Sequence, residues 1–229
     1  MKMFDMDSPL MTGLNKFADL IWLNILTIVC CIPIITAGAS LTAMHYMCLK
    51  IARDEECYIT KGFFKSFKMN FKQATIIWIL ELLVALFLFG DLWIIYRSGI
   101  EFHIIFHIAV ILVAVLVLLI SAFVFPVLAK FDNTIFKTIK NSLVISMAQL
   151  PKSVVYIVLT VLVFVITIYL PQVLPMFFFF GLSYPAFLFA KMYSKFFEKL
   201  ENQILEANGG NGEDAADEDE HIFSDEVEI

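Results

Sequence analysis

The chain has 229 residues, of which 60% are hydrophobic and 17% charged, with a mean hydropathy of +0.84. Soluble domains average nearer half apolar and a quarter charged, so the composition excludes an ordinary water-soluble globule and points to lipid as solvent. The net charge of −6 belongs to one end: nine of the 22 acidic residues lie beyond residue 207, and the remainder is slightly basic.

In chain order, the first hydrophobic region is Leu20–Leu49, interrupted by Pro33 and Gly38. Thirty residues of straight helix would be about 45 Å long, well beyond the roughly 30 Å hydrocarbon core. The region is therefore kinked, tilted, split into an interfacial and a spanning half, or folded back as a re-entrant hairpin. Its Ala37-Gly38-Ala39 resembles a leader-peptidase site, but no basic segment precedes it, so it reads as retained. The small residues Ala39 and Ala43 offer a face for close helix packing. Four further spans follow at about 74–96, 102–128, 154–170 and 173–190, each near the roughly 20 apolar residues that a crossing needs.

Charge sets the orientation. Lysine and arginine concentrate in cytoplasmic connections, and thirteen of the sixteen basic residues fall in three of them, at 48–73, 129–153 and 191–199. These three connections are expected on the cytoplasmic side, with the C-terminus. A single crossing by residues 20–49 gives five spans and an outside N-terminus, whereas a re-entrant region gives four and an inside one.

Two amphipathic cytoplasmic helices are expected, at about 61–73 and 132–149. In the first, Lys61, Lys65, Lys68 and Lys72 share one face and Phe63, Phe64, Phe67 and Phe71 another. The lysines are candidate contacts for lipid headgroups; the alternative is a helix packed on the protein's own surface. Shifted by 72 residues, Phe64-Lys65-Ser66-Phe67-Lys68 aligns with Phe136-Lys137-Thr138-Ile139-Lys140, which suggests a parallel internal repeat. Asp132-Asn133 is the expected cap of the second copy. Residues 201–229 read as an acidic, disordered cytoplasmic tail.

Ionisable groups within spans are functional candidates because lipid makes them costly. Glu81 is one, with Asn24 or Thr27 of the first region as possible partners. Asp91 is a second, placed by antiparallel geometry level with His107. His103 and His107 share a face near Glu101, a spacing that could hold a metal, but interfacial polar groups are the stronger reading. The four cysteines match no zinc or haem spacing. No catalytic residue, cofactor site or metal site is assigned, and no basic domain suggests a nucleic-acid partner.

Three segments in order carry a resemblance: Asn24-Ile25-Leu26 through Pro33-Ile34-Ile35-Thr36-Ala37-Gly38-Ala39-Ser40, then Asn70-Phe71-Lys72-Gln73-Ala74, then Leu128-Ala129-Lys130-Phe131-Asp132-Asn133-Thr134. Over roughly residues 10–200 the chain resembles the YesL family of bacterial integral membrane proteins. The resemblance implies the plasma membrane of a Gram-positive-type bacterium and an accessory or regulatory, non-enzymatic role in carbohydrate uptake. The partners would be the bilayer and either sugar ABC transporter subunits or further copies of the chain. A small oligomeric transporter or channel is the alternative, and a membrane-embedded enzyme a third.

Overall fold

The computed structural model describes residues 9–55, 57–97 and 104–207, and among these every regular element is helical. In order they are α1 (Pro9–Cys31), a 3-10 turn (Ile34–Thr36), α2 (Ala37–Ala52), α3 (Ile59–Arg97) and α4 (Ile104–Lys130). There follow α5 (Ile135–Ala148), α6 (Leu150–Tyr169), a second 3-10 turn (Pro171–Val173), α7 (Leu174–Phe180) and α8 (Ser183–Ala207).

Five of these helices, α1, α2, α3, α4 and α6, are long and apolar enough to cross a bilayer, and the bent pair α7–α8 would add a sixth. Their outer surfaces demand lipid. Of the twenty residues of α6, only Ser153 is buried, and from Ile104 to Leu118 only Val110 of α4 is buried. Apolar faces of that extent do not persist in water. The chain is an all-α polytopic membrane protein.

The first hydrophobic region folds as an antiparallel hairpin. Pro33, which has no backbone N–H to give, lies between the helices, and the Thr36 hydroxyl donates to the carbonyls of Cys30 (2.6 Å) and Pro33 (2.8 Å) to fasten the corner. Ser40 donates to the Thr27 carbonyl at 2.9 Å, linking the two helices. At the other end Lys16 of α1 pairs with Asp54, just past α2. Asp54 adopts a left-handed conformation (φ 61°), which aspartate tolerates better than most residues. The start of α1 therefore lies beside the basic connection 48–73, and the single crossing that would separate them is replaced by a return.

Gly38 is not part of the break. It lies inside α2, where an added Cβ would stand 2.5 Å from the Ala74 carbonyl oxygen and 2.6 Å from Trp78 Cβ. Its service is close approach, with Ala39 and Ala43 fully buried beside it. Twelve of the sixteen residues of α2 are buried, because α1, α3, α4 and α8 all pack around it.

The expected helix at 61–73 is not separate. No proline or glycine stands between Lys68 and Phe89, so helix propagation continues and α3 runs unbroken for 39 residues, about 58 Å. Its phenylalanine face divides: Phe63 is fully buried in the main core, Phe67 packs against it, and Phe64 and Phe71 remain exposed. The second copy differs. α5 ends at Ala148 with Gln149 as its cap, and α6 begins at Leu150, because Pro151 cannot bond to the carbonyl of Met147. The position 72 residues earlier is Ile79, which imposes no such break. The aligned Ser66 and Thr138 are both buried. Thr134, not Asp132-Asn133, occupies the cap position of α5.

The last expected span, 173–190, is bent by 49° between α7 and α8. Pro185 would clash with the carbonyl of Gly181 in a straight helix, and the break places it in the first turn of α8. That helix continues to Ala207, so residues 201–207 of the expected tail are helical; residues 208–229 lie outside the described residues. α8 crosses α4 and α6 through aromatic contacts, with ring centroids of Phe189 and Tyr156 4.1 Å apart and of Phe189 and Phe123 4.9 Å apart.

Replacing Gly38 with Ala should destabilise the fold by about 1–3 kcal/mol, the usual range for overpacking, whereas Gly13→Ala meets nothing within 4 Å. Thermal unfolding in detergent should show a lowered Tm for the first variant only.

Candidate functional site

Asn24 is the most completely bonded polar side chain of the core. Its amide donates to the carbonyls of Phe177 (3.1 Å) and Phe178 (2.6 Å), and its oxygen accepts from the N–H groups of Leu182 (2.9 Å) and Ser183 (2.8 Å). The Leu182 and Ser183 N–H groups and the Phe178 carbonyl lie at the α7–α8 break, where helical partners run out; the Phe177 carbonyl also accepts from the Gly181 N–H at 2.7 Å. Asn24 is thus the external cap of a broken helix, and it does not meet Glu81. Ser183 adds a bond from its hydroxyl to the Leu20 carbonyl at 2.8 Å.

Glu81 instead accepts a hydrogen bond from Ser121 of α4 at 2.9 Å. Thr27 bonds to the Leu23 carbonyl within its own helix. The expected Asp91–His107 pair does not form: no ion pair joins them, and His107 Nδ1 is buried without a partner. His103 and Glu101 lie outside the described residues. Among the described residues, no three His, Cys, Asp or Glu side chains gather as a metal site. His45 is buried in the core with Nε2 3.4 Å from the Tyr156 hydroxyl.

The lysine face is open on the first half of α3, where Lys61, Lys68 and Lys72 are exposed and Lys65 is half-buried. Next to it lies a cleft of about 390 Å3 lined by Tyr46 of α2, Ser66, Asn70 and Gln73 of α3, and Lys130 and Asp132 at the α4–α5 corner. Two of the segments that carry the family resemblance, 70–74 and 128–134, meet here although they are some sixty residues apart. Asn70 donates to the Ser66 carbonyl at 3.1 Å. The Gln73 amide has no hydrogen-bond partner among the described residues.

Behind the cleft an ion network ties three helices together. Glu201 of α8 takes a two-pronged contact from Arg53 (2.8 and 3.1 Å) and stands 3.5 Å from the Lys130 ammonium. Burial presses the Arg53 guanidinium toward its neutral form. The Glu201 carboxylate, with Glu55 and Glu198, more than reverses this, so its pKa stands above the ordinary value. Arg53 and Glu201 are 148 residues apart, and no local pattern announces the pair. The partnership fixes the last turns of α8 against the end of α2.

These features define an integral membrane protein with a polar cleft beside a basic helical face. A family model described as "Protein of unknown function, DUF624" matches residues 20–92, which cover α2, most of α3 and the second half of α1. The chain is also similar to the "Uncharacterized protein YteU" of Bacillus subtilis (strain 168), at 29% identity over 119 residues, 52% of this chain and 53% of that protein. The chain thus spans about half the length of that relative. No solved structure matches.

Replacing Asn24 with Leu strands two N–H groups and the Phe178 carbonyl, each costing about 1–3 kcal/mol when buried and unpaired, while the Phe177 carbonyl keeps the Gly181 N–H. The variant should unfold well below the parent in detergent, whereas Glu81→Gln, which keeps an acceptor for Ser121, should unfold close to it.

Proposed function

We propose that the protein is a non-enzymatic accessory or regulatory component of a bacterial plasma membrane, serving carbohydrate uptake in the manner suggested by its likeness to the YesL family. Its lysine-bearing connections and C-terminus face the cytoplasm, and its partners are the bilayer together with sugar ABC transporter subunits or a second copy of itself. The observation that carries this reading is how the core's polar groups are used. Asn24, Ser40, Ser142, Ser146 and Ser153 bond to backbone or to each other inside the helix packing. Exposed polar groups that a partner can reach include Lys61, Lys68 and Lys72 of α3 and the cleft beside them.

A second reading, a small oligomeric transporter, is favoured by the Glu81–Ser121 bond, since carboxylates at membrane depth often serve ion or proton passage. The enzyme reading has lost its one suggestive pair, Asp91 with His107. Neither a cofactor nor a nucleic acid enters the proposal.

Purification in mild detergent followed by mass spectrometry should recover sugar-transport subunits with the parent chain and lose them with the combined Lys61→Glu, Lys68→Glu, Lys72→Glu variant. Solute flux in liposomes that Glu81→Gln abolishes would replace this reading with the second. For orientation, Gly13→Cys, Lys68→Cys and Lys140→Cys, each in a background with the native cysteines replaced, should all resist an impermeant maleimide in intact cells. All three should react after permeabilisation, because the α1–α2 hairpin returns the chain to its starting side.

A further inference from the structure

Two cavities lie along the seam between α3 and α4. The cleft holds polar side chains. The second cavity, about 120 Å3, is lined by Ile77, Leu80 and Val84 of α3, Val117 and Ile120 of α4, Ile139 of α5, and Glu81, whose carboxyl is engaged by Ser121. Ser66, Gln73, Ile77, Leu80 and Val84 recur at spacings of three, four and seven, which puts them on one stripe of α3. Along that stripe the chemistry changes from hydroxyl and amide to hydrocarbon about 6–16 Å beyond Gln73, at 1.5 Å per residue.

The change coincides with the sequence boundary of both helices. Lys72 is the last basic residue before the apolar run of α3 that opens at Ala74, and Lys130 is the first after the apolar run of α4 that closes at Leu128. On adjacent antiparallel helices these boundaries meet at the cleft, the depth at which lipid phosphates lie. We propose that the seam binds one glycerophospholipid, phosphatidylglycerol in class, with its headgroup in the cleft and an acyl chain along the apolar stripe of α3.

Each part of the cleft has a matching part of that ligand. The Lys130 ammonium stands where a phosphodiester needs a cation, and basic pockets between membrane helices take anionic headgroups in this way. Exposed Lys72, Lys137 and Lys140 on α3 and α5 raise the local positive potential. Gln73 offers an unpartnered amide donor to phosphate oxygen. The Asp132 carboxylate and the Asn70 carbonyl oxygen accept from the glycerol hydroxyls, which a choline headgroup does not possess. The cleft's volume is within the range of a small-molecule site.

The delipidated full chain in detergent, titrated with dihexanoylphosphatidylglycerol and read by native mass spectrometry, should take up one lipid. Dihexanoylphosphatidylcholine should bind about tenfold more weakly or worse, and inorganic phosphate at equal concentration should not displace the lipid. Gln73→Leu and Lys130→Gln should each weaken binding by about tenfold, and Lys195→Gln, at an exposed position of α8 that does not line the cleft, should leave it unchanged. Should Lys130→Gln fail to fold for want of its Glu201 contact, Gln73→Leu decides, since Gln73 has no hydrogen-bond partner among the described residues to lose. Equal binding of the choline lipid, displacement by phosphate, absence of any one-to-one adduct, or a Gln73→Leu variant that binds like the parent would each overturn the proposal.

Discussion

The close approach of α2 to α3 at Gly38 organises the molecule. Lipid supplies no hydrophobic drive between helices, so packing and buried hydrogen bonds must hold them. The absence of a side chain at Gly38 lets the α2 backbone sit against Ala74 and Trp78. The Trp78 indole then donates to the Ile34 carbonyl at 2.8 Å, at the corner where α1 turns into α2. With α2 fixed, its remaining faces gather α1, α4 and α8. Met44, Met47 and Cys48 are completely enclosed among them, and the adaptable methionine side chains suit a core built from helices meeting at different angles.

Both ends of α8 are held by side chains from elsewhere in the chain. The α7–α8 bend, forced by Pro185, exposes backbone groups that Asn24 satisfies from α1. The far end of α8 is anchored by Glu201 to Arg53 and Lys130. Both devices join the C-terminal third of the protein to the α1–α2 hairpin and its end, at Asn24 and at Arg53. α8 therefore depends on the first hairpin for its path, and its helical register is set at both ends by partners distant in sequence.

Membrane residence, the all-helical class and the break at Pro33 were legible in the sequence because apolar run length and proline act locally. The fate of Gly38 was not, since whether a glycine breaks a helix or admits a neighbour depends on Ala74 and Trp78, which no local pattern brings near. The amphipathic stretch at 61–73 was recognisable as a helix, yet its continuity with the next span rests on the lack of a breaker, a weaker signal than the presence of one. Its two readings divide at Phe63, whose burial shows that part of the aromatic face serves the protein's own core. Asp91 and His107 were matched by counting from a turn expected near Gly99, and a small offset in register is enough to separate two side chains. The cleft was half visible: both segments that line it had been singled out, but their meeting is a product of the tertiary fold.

The unbroken course of α3 has a mechanical consequence. A rod of about 58 Å with its basic half clasped by α1 and α2 and its apolar half paired with α4 behaves as a lever whose fulcrum is the Gly38 contact. A tilt of about 5° around that point displaces the far end by several ångströms, the scale on which packed helices shift against one another. The lysines at one end and the hydrocarbon-facing residues at the other are thus carried by one uninterrupted helix.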